Sequence, residues 1–384
     1  MAKKNVTDSG TRIASGIFVG CELTKRIFKM TNRERMCAVL RGEKTDRVVF
    51  CQYSNNAGSD DEIWTALGKE NVPVICWTSP LRIHNPKCVL ENKESIDQGM
   101  RVVTTKMRTP AGDLEQVRQF EPVLNSGATR SHYIESEKDF VPFLSYLKGI
   151  HIEDDLDNFC KAKKYVGDNG VLFVAAPRTP YQAMWVEWSS METLSMELAD
   201  GNAILLECMD ELQRIQLEIA PRLAEFCAKE DLPMVDVPDN ITAPMIGSER
   251  YRRWCQPVYR KLAGILHSSG VKLSVHMDGD LRSLWKDIRE SDVDIIDSLS
   301  PAPANDTSVA DALREFPKTT LLVNFPSQVF IRSEKEIYDY AVQLLSESGH
   351  SGRVWIQVSE NPPPGTWRKT FPLILKAINE FGKP

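Results

Sequence analysis

The sequence has no Cys-x-x-Cys pair, no apolar run long enough to cross a bilayer, no basic stripe and no G-x-G-x-x-G loop. Each absence removes a class of protein. Its nine cysteines are scattered and odd in number, which fits free thiols in a reducing compartment better than a disulfide framework. A membrane-spanning helix needs about 20 consecutive apolar residues, and none is present. The 47 basic residues are outnumbered by 53 acidic ones, for a net charge of −6. No basic patch is interleaved with aromatics, so nucleic acid is not an expected partner. The residues before about Met30 include early lysines but lack an apolar core with a small-residue cleavage site. The expectation is a cytoplasmic protein with a frayed or partly helical N-terminal extension.

What is present is an ordinary globular composition, 42% hydrophobic and 26% charged, on a chain long enough for one elaborated barrel or two domains. Thr31-Asn32-Arg33-Glu34 caps a helix that Gly42 closes, and Arg47-Val48-Val49-Phe50 reads as the first strand. Residues 1–45 are therefore read as a helical extension and 46–384 as a single domain. Between Met100 and Phe120 apolar and polar residues alternate around Thr109-Pro110-Ala111-Gly112, the pattern of a β-hairpin. This hairpin places an insertion at about 57–145, capping the domain's mouth or flank. From Asp154 onward short apolar strands (170–176, 232–237, 271–276, 293–297, 320–325, 353–359) alternate with helical periodicity. Such an order gives parallel strands covered by crossover helices. The predicted fold is α/β, a TIM-type (β/α)8 barrel, because no dinucleotide-binding glycine loop follows any strand.

Barrels of this kind carry their chemistry at the carboxyl ends of the strands. Here those ends hold Tyr53 and Asn55; Arg178, Tyr181 and Trp185; Asp236, Asp239 and Asn240; His276 and Asp278; Asp297 and Ser300; Asn324; and Glu360. In Val271–Asp280, VKLSVHMDGD, a buried strand ends in a histidine, with an aspartate one residue further on. Residues separated by one project to the same side of extended chain, so His276 and Asp278 are either a metal-binding pair or a hydrogen-bonded structural pair. Glu360 precedes the stiff run Asn361-Pro362-Pro363-Pro364-Gly365; it is a third metal ligand or a rim salt-bridge partner. Asp297 is the expected acceptor for the second imidazole nitrogen of His276. Tyr181 and Trp185 are read as an aromatic substrate wall or as simple packing. Tyr53, Asn55, Asp239, Asn240 and Asn324 complete the set of expected substrate contacts, Asp239 and Asn240 because they end the strand beside the histidine strand.

From Thr31 to the C-terminus the chain resembles the uroporphyrinogen decarboxylase superfamily, which includes cobalamin-dependent methyltransferases. The resemblance rests on Thr31 to Arg35 running through Gly42 to Asp46-Arg47, the turn Thr109 to Gly112, the HMDG of His276 to Gly279, Asn324-Phe325-Pro326 and Glu360-Asn361-Pro362-Pro363. The decarboxylases' arginine-bearing segment after the first strand is replaced here by Cys51 to Gly58, which has no arginine to hold a polycarboxylate. The resemblance therefore implies the corrinoid methyltransferase branch, whose zinc ligands correspond to His276, Asp278 and Glu360. Carboxylates in place of sulfurs imply a harder metal and an oxygen-bearing donor. The expected activity is zinc-dependent transfer of a methyl group from a small O-methyl substrate, such as a methoxylated aromatic, to cobalamin carried by a partner corrinoid protein. The family also suggests a homodimer. The alternatives are a metal-dependent decarboxylase or lyase, with Arg178 holding the acid, and a non-catalytic binding protein on the same barrel.

Overall fold

A computed structural model describes residues 30–123, 126–348 and 351–383. The expected extension before residue 30, and His350, lie outside them. Strands β1 (Phe50–Tyr53), β2 (Val74–Thr78), β9 (Gly170–Ala175), β10 (Met234–Val237), β11 (Lys272–His276), β12 (Ile295–Leu299), β13 (Thr320–Asn324) and β14 (Val354–Val358) close into one parallel barrel. The order is β1-β14-β13-β12-β11-β10-β9-β2, with β2 paired back to β1. The predicted barrel is the observed one.

Alternation along these strands sorts every side chain. Phe50, Val74, Leu172, Val174, Val235, Val237, Leu273, Val275, Ile296, Leu321, Val323, Val354 and Ile356 pack outward into the core shared with the helices. The alternate positions Val49, Cys51, Ile75, Val171, Phe173, Met234, Ile295, Leu322 and Trp355 fill the barrel interior. The helix Asn32–Arg41 adds Met36, Cys37, Val39 and Leu40 to that interior cluster. Its Val39 carbonyl accepts from Thr320 Oγ1 at the start of β13, so this helix plugs the end of the barrel opposite the site. A reciprocal cap between Thr31 and Glu34 starts the helix, and Gly42 ends it at φ 79°, a conformation that favours glycine.

The plug is pinned by a buried cation. Arg35, only 2% exposed, reaches Asp46 at 2.5 and 2.9 Å, Asn32 Oδ1 at 2.9 Å and the Met30 carbonyl at 2.8 Å. Removing one member of a buried pair costs about 3–5 kcal/mol. Asp46 stays partly solvated, so Arg35→Ala is expected to lose stability near the lower end of that range. A urea titration checks this, and an unchanged midpoint would contradict it.

The insertion begins later than the sequence suggests. The helix Asp60–Leu67 and β2 both belong to the barrel unit, and the extra structure begins after Thr78. It comprises a two-stranded sheet, β3 (Leu81–His84) with β8 (His151–Asp154), and a four-stranded antiparallel sheet of β4 (Val89–Asp97), β5 (Met100–Thr109), β6 (Gly112–Phe120) and β7 (Gly127–Ser131). The hairpin between β5 and β6 pairs Thr109 with Gly112, as its turn residues predict. β2 escapes notice because it is a five-residue run after Pro73 that is followed directly by the insertion, which breaks the strand and helix rhythm on which the reading depends.

Candidate active site

Towards the carboxyl ends of the strands the barrel interior turns polar. The inward positions there are Tyr53, Trp77, Asp236, His276, Asp297, Asn324 and Gln357, which continue the alternation of Cys51, Ile75, Met234, Ser274, Ile295, Leu322 and Trp355. Asp297 on β12 is the hub, with no exposed surface. Its Oδ2 accepts from Tyr53 Oη at 2.5 Å and lies 3.1 Å from His276 Nδ1, and its Oδ1 accepts from Gln357 Nε2 at 2.7 Å.

On its other side His276 points Nε2 at Asp278, with 3.5 Å between Nε2 and Oδ2. Burial lowers the basicity of the imidazole, but hydrogen bonds and charge from Asp278 and Asp297 outweigh it and hold the pKa well above the usual histidine value. Asp278 is pushed up by burial, yet the hydrogen bond and charge of His276 leave it below the ordinary carboxylate range. The loop that carries Asp278 is tied by Asn305 Nδ2 to the Asp278 carbonyl at 2.5 Å. Gly279 follows, where a Cβ would come within 2.1 Å of Thr242 Cβ, so the turn admits only glycine.

Asp236, inward on β10, has no exposed surface. Its Oδ1 accepts from Ser274 Oγ, while its Oδ2 has no partner. Burial first, and then the charge of Asp297, push its carboxyl well above the normal range, against the opposing pull of Ser274 and His276. A carboxyl raised in the folded state contributes stability below its unfolded pKa of about 4 and loses it as the pH climbs towards the folded value. Asp236→Asn removes that loss. The variant is expected to gain about 1–3 kcal/mol at pH 8 and nothing below pH 4. Denaturant unfolding at the two pH values checks this, and a variant less stable at both would contradict it.

The other expected residues are placed as follows. Asn324 donates to Ser300 Oγ at 3.2 Å and accepts from Ser359 N at 3.1 Å, inside the polar layer. Tyr53 is there too, with its hydroxyl committed to Asp297. Glu360 is not gathered with His276 and Asp278: it accepts from Ser327 N at 3.2 Å and Ser300 Oγ at 3.4 Å. Among the described residues no group of three or more His, Cys, Asp or Glu side chains is placed to hold a metal ion. The donor set thus offers two of the expected ligands together and the third on other partners, and it does not fit the expected three-ligand zinc centre.

Several expected substrate contacts have partners within the protein. Tyr181 is fully buried, with its hydroxyl against Met191 Sδ at 3.6 Å. Trp185 donates to Gln182 Oε1 at 2.7 Å. Asn55, at φ 60°, exchanges hydrogen bonds with Asp60 across the start of a helix. Asp239 is enclosed, accepting from Thr179 N and Oγ1 and from Tyr259 Oη at 2.9, 2.7 and 2.6 Å, and burial lifts its carboxyl to about 6. Asn240 accepts from Arg178 at 2.7 Å, and the same guanidinium meets Glu187 at 2.9 Å. The aromatic wall lies elsewhere, on strands and not in the loop. Tyr53 and Trp77 meet edge to face with centroids 5.7 Å apart, and Phe173 backs Trp77 at 5.4 Å. Trp77 is absent from the sequence-derived set because its strand falls in the stretch that reads as insertion; its signal is the apolar run Val74 to Trp77.

These features define a parallel barrel with a partly buried histidine held between two carboxylates at the carboxyl ends of its strands. Residues 176–361, which carry that histidine and its partners, match the family described as uroporphyrinogen decarboxylase (URO-D). That match spans 186 of the 384 residues, just under half of the chain. Among solved structures it is similar to a methyltransferase from Methanosarcina mazei, at 12% identity and a TM-score of 0.54 over 92% of this chain and 99% of that one. A D-psicose 3-epimerase from Clostridium cellulolyticum H10 shares 10% identity over 58% of this chain and 82% of its own, with a TM-score of 0.35. At these identities the likeness is one of fold. No curated protein matches the chain. No helix among the described residues is long and apolar enough to cross a membrane.

Proposed function

We propose that this protein is a methyltransferase that moves a methyl group from a small methylated donor to the cob(I)alamin of a separate corrinoid protein docked over the barrel mouth. The observation that carries the reading is the polar layer itself, which is built for binding and orientation: Asp297 fixes Tyr53, His276 and Gln357 through both of its oxygens. The likeness of fold to a methyltransferase along almost the whole chain supports it. The lyase alternative needs a free cation to hold an acid, and Arg178 is engaged by Glu187 and Asn240.

In this reading the chain's residues position the donor and keep water out. Asp297 sets the plane of the His276 ring, and His276 in turn holds Asp278 at the edge of the site. Fixing a donor in line with the incoming nucleophile is worth several orders of magnitude in rate without any acid or base. Because Glu360 is spent on Ser327 and Ser300, no step is routed through a metal. The test is the purified chain with cob(I)alamin and a panel of methyl donors, followed by the absorption change on methylation. Transfer is expected with at least one donor and is expected to fall at least tenfold in His276→Ala. Transfer undiminished in that variant would remove the site from the reaction.

A further inference from the structure

We propose that the polar layer takes a methylated cation, a quaternary ammonium group, with Trp77 and Tyr53 as its aromatic walls and with Asp278 and, once the cation's charge favours its ionised form, Asp236 as its counter-charges. This rests on the methyltransferase reading of the same site and names its donor class.

The charge balance is the first argument. At the carboxyl ends of the strands no inward position holds Lys or Arg. Lys272, inward at the opposite end of β11, approaches the plug helix at Gly42. Facing the layer are the acids Asp236, Asp278 and Asp297, with Glu360 beside it, against the single imidazole of His276. Arg178 at the rim is already paired. Such a site repels an anionic donor and attracts a cation.

The second argument is the unpartnered oxygen. Asp236 Oδ2 is fully buried and makes no hydrogen bond, and an oxygen left so is a costly feature unless something bound there uses it. The groups that face Asp236 are Asp297, His276, Asp239, Tyr53 and Ser274, and none of them donates to Oδ2. The third argument is the corner of rings. Tyr53 and Trp77 stand at 87° to one another, so a methylammonium group seated in the angle they enclose meets aromatic surface on two sides, the arrangement that recognises quaternary ammonium ions.

The chemistry follows without an acid. The C–N bond breaks and its electron pair stays on nitrogen, which leaves as a neutral amine. The low-valent cobalt of the acceptor supplies the pair for the new C–Co bond and is formally oxidised as it accepts the methyl cation. No proton is taken up or released, which suits a site whose His276 and Tyr53 protons are committed to Asp297.

The test is isothermal titration of the full chain with choline and with 3,3-dimethylbutan-1-ol, which has the same shape and no charge. Choline is expected to bind at least tenfold more tightly. Trp77→Ala is expected to abolish that preference, Trp77→Phe to keep most of it, and Asp236→Asn to weaken choline while leaving the alcohol unchanged. Should Trp77→Ala fail to fold by circular dichroism, the comparison in the wild type and in Trp77→Phe still decides. Equal affinity for the pair, tighter binding of methoxybenzene than of choline, or binding of zinc alone would each overturn the proposal. These titrations contain no cobalt acceptor. A protein that binds choline but transfers no methyl group fails the proposed function alone, whereas transfer only from uncharged donors fails this inference alone.

Discussion

Asp297→Asn is expected to lower methyl transfer by about a hundredfold or more while leaving a folded protein. The carboxylate is completely buried and serves Tyr53, His276 and Gln357 together. An amide of the same size must turn its NH2 towards one of those donors, and it supplies no charge to the imidazole. His276 then loses the partner that fixes its ring plane, and the Tyr53 wall loses its anchor. Asp297→Ala goes further, leaving those donors unsatisfied at about 1–3 kcal/mol each, so the asparagine variant is the one that separates rate from stability. The check is a kcat and KM measurement paired with a denaturant titration. A wild-type rate in a folded Asp297→Asn protein would show that the hub is structural only.

The largest expected stability effect lies at the seam between β2 and β9. Gly170 starts β9, and a Cβ there would sit 1.9 Å from the Val74 carbonyl oxygen and 2.8 Å from its carbon, both backbone atoms. Val74 is paired with Gly170 in register, so the clash cannot be relieved by a rotamer change; the strands must separate. Gly170→Ala is expected to cost at least about 3 kcal/mol, the range of severe backbone and overpacking lesions, and to open the barrel beside Trp77. A thermal melt of the variant measures it, and an unchanged Tm would mean that the seam is looser than the register implies.

How much of this was legible in the sequence depends on where periodicity survives. β11 and β12 can be read because each is a short apolar run ending in a titratable residue, which puts His276, Asp278 and Asp297 in one ring of strand ends. β2 cannot, because the insertion takes the place of the helix that should follow it, and with it goes Trp77, the inner aromatic wall. Tyr181 and Trp185 attracted notice by composition, yet a ring in a loop finds a core or a nearby amide as readily as a ligand, and here Tyr181 is buried and Trp185 meets Gln182. Glu360 reads from the sequence as the end of the last strand, and it lies two residues beyond β14. The sequence carries no signal for which donors it meets there, and the stiff proline loop leaves it with Ser327 and Ser300 rather than with His276. Asp236 illustrates the converse. An acid in a four-residue strand of otherwise apolar residues breaks local consistency, the mark of a position kept for function.

The central claim is methyl transfer at this barrel mouth, and the most direct measurement is the spectrum of cob(I)alamin incubated with the purified chain and, in turn, choline, a methoxylated phenol and methanol. The account predicts conversion to methylcobalamin, fastest with choline, and a rate that falls about a hundredfold with Asp297→Asn. No methylcobalamin from any donor, with a folded protein, would contradict it.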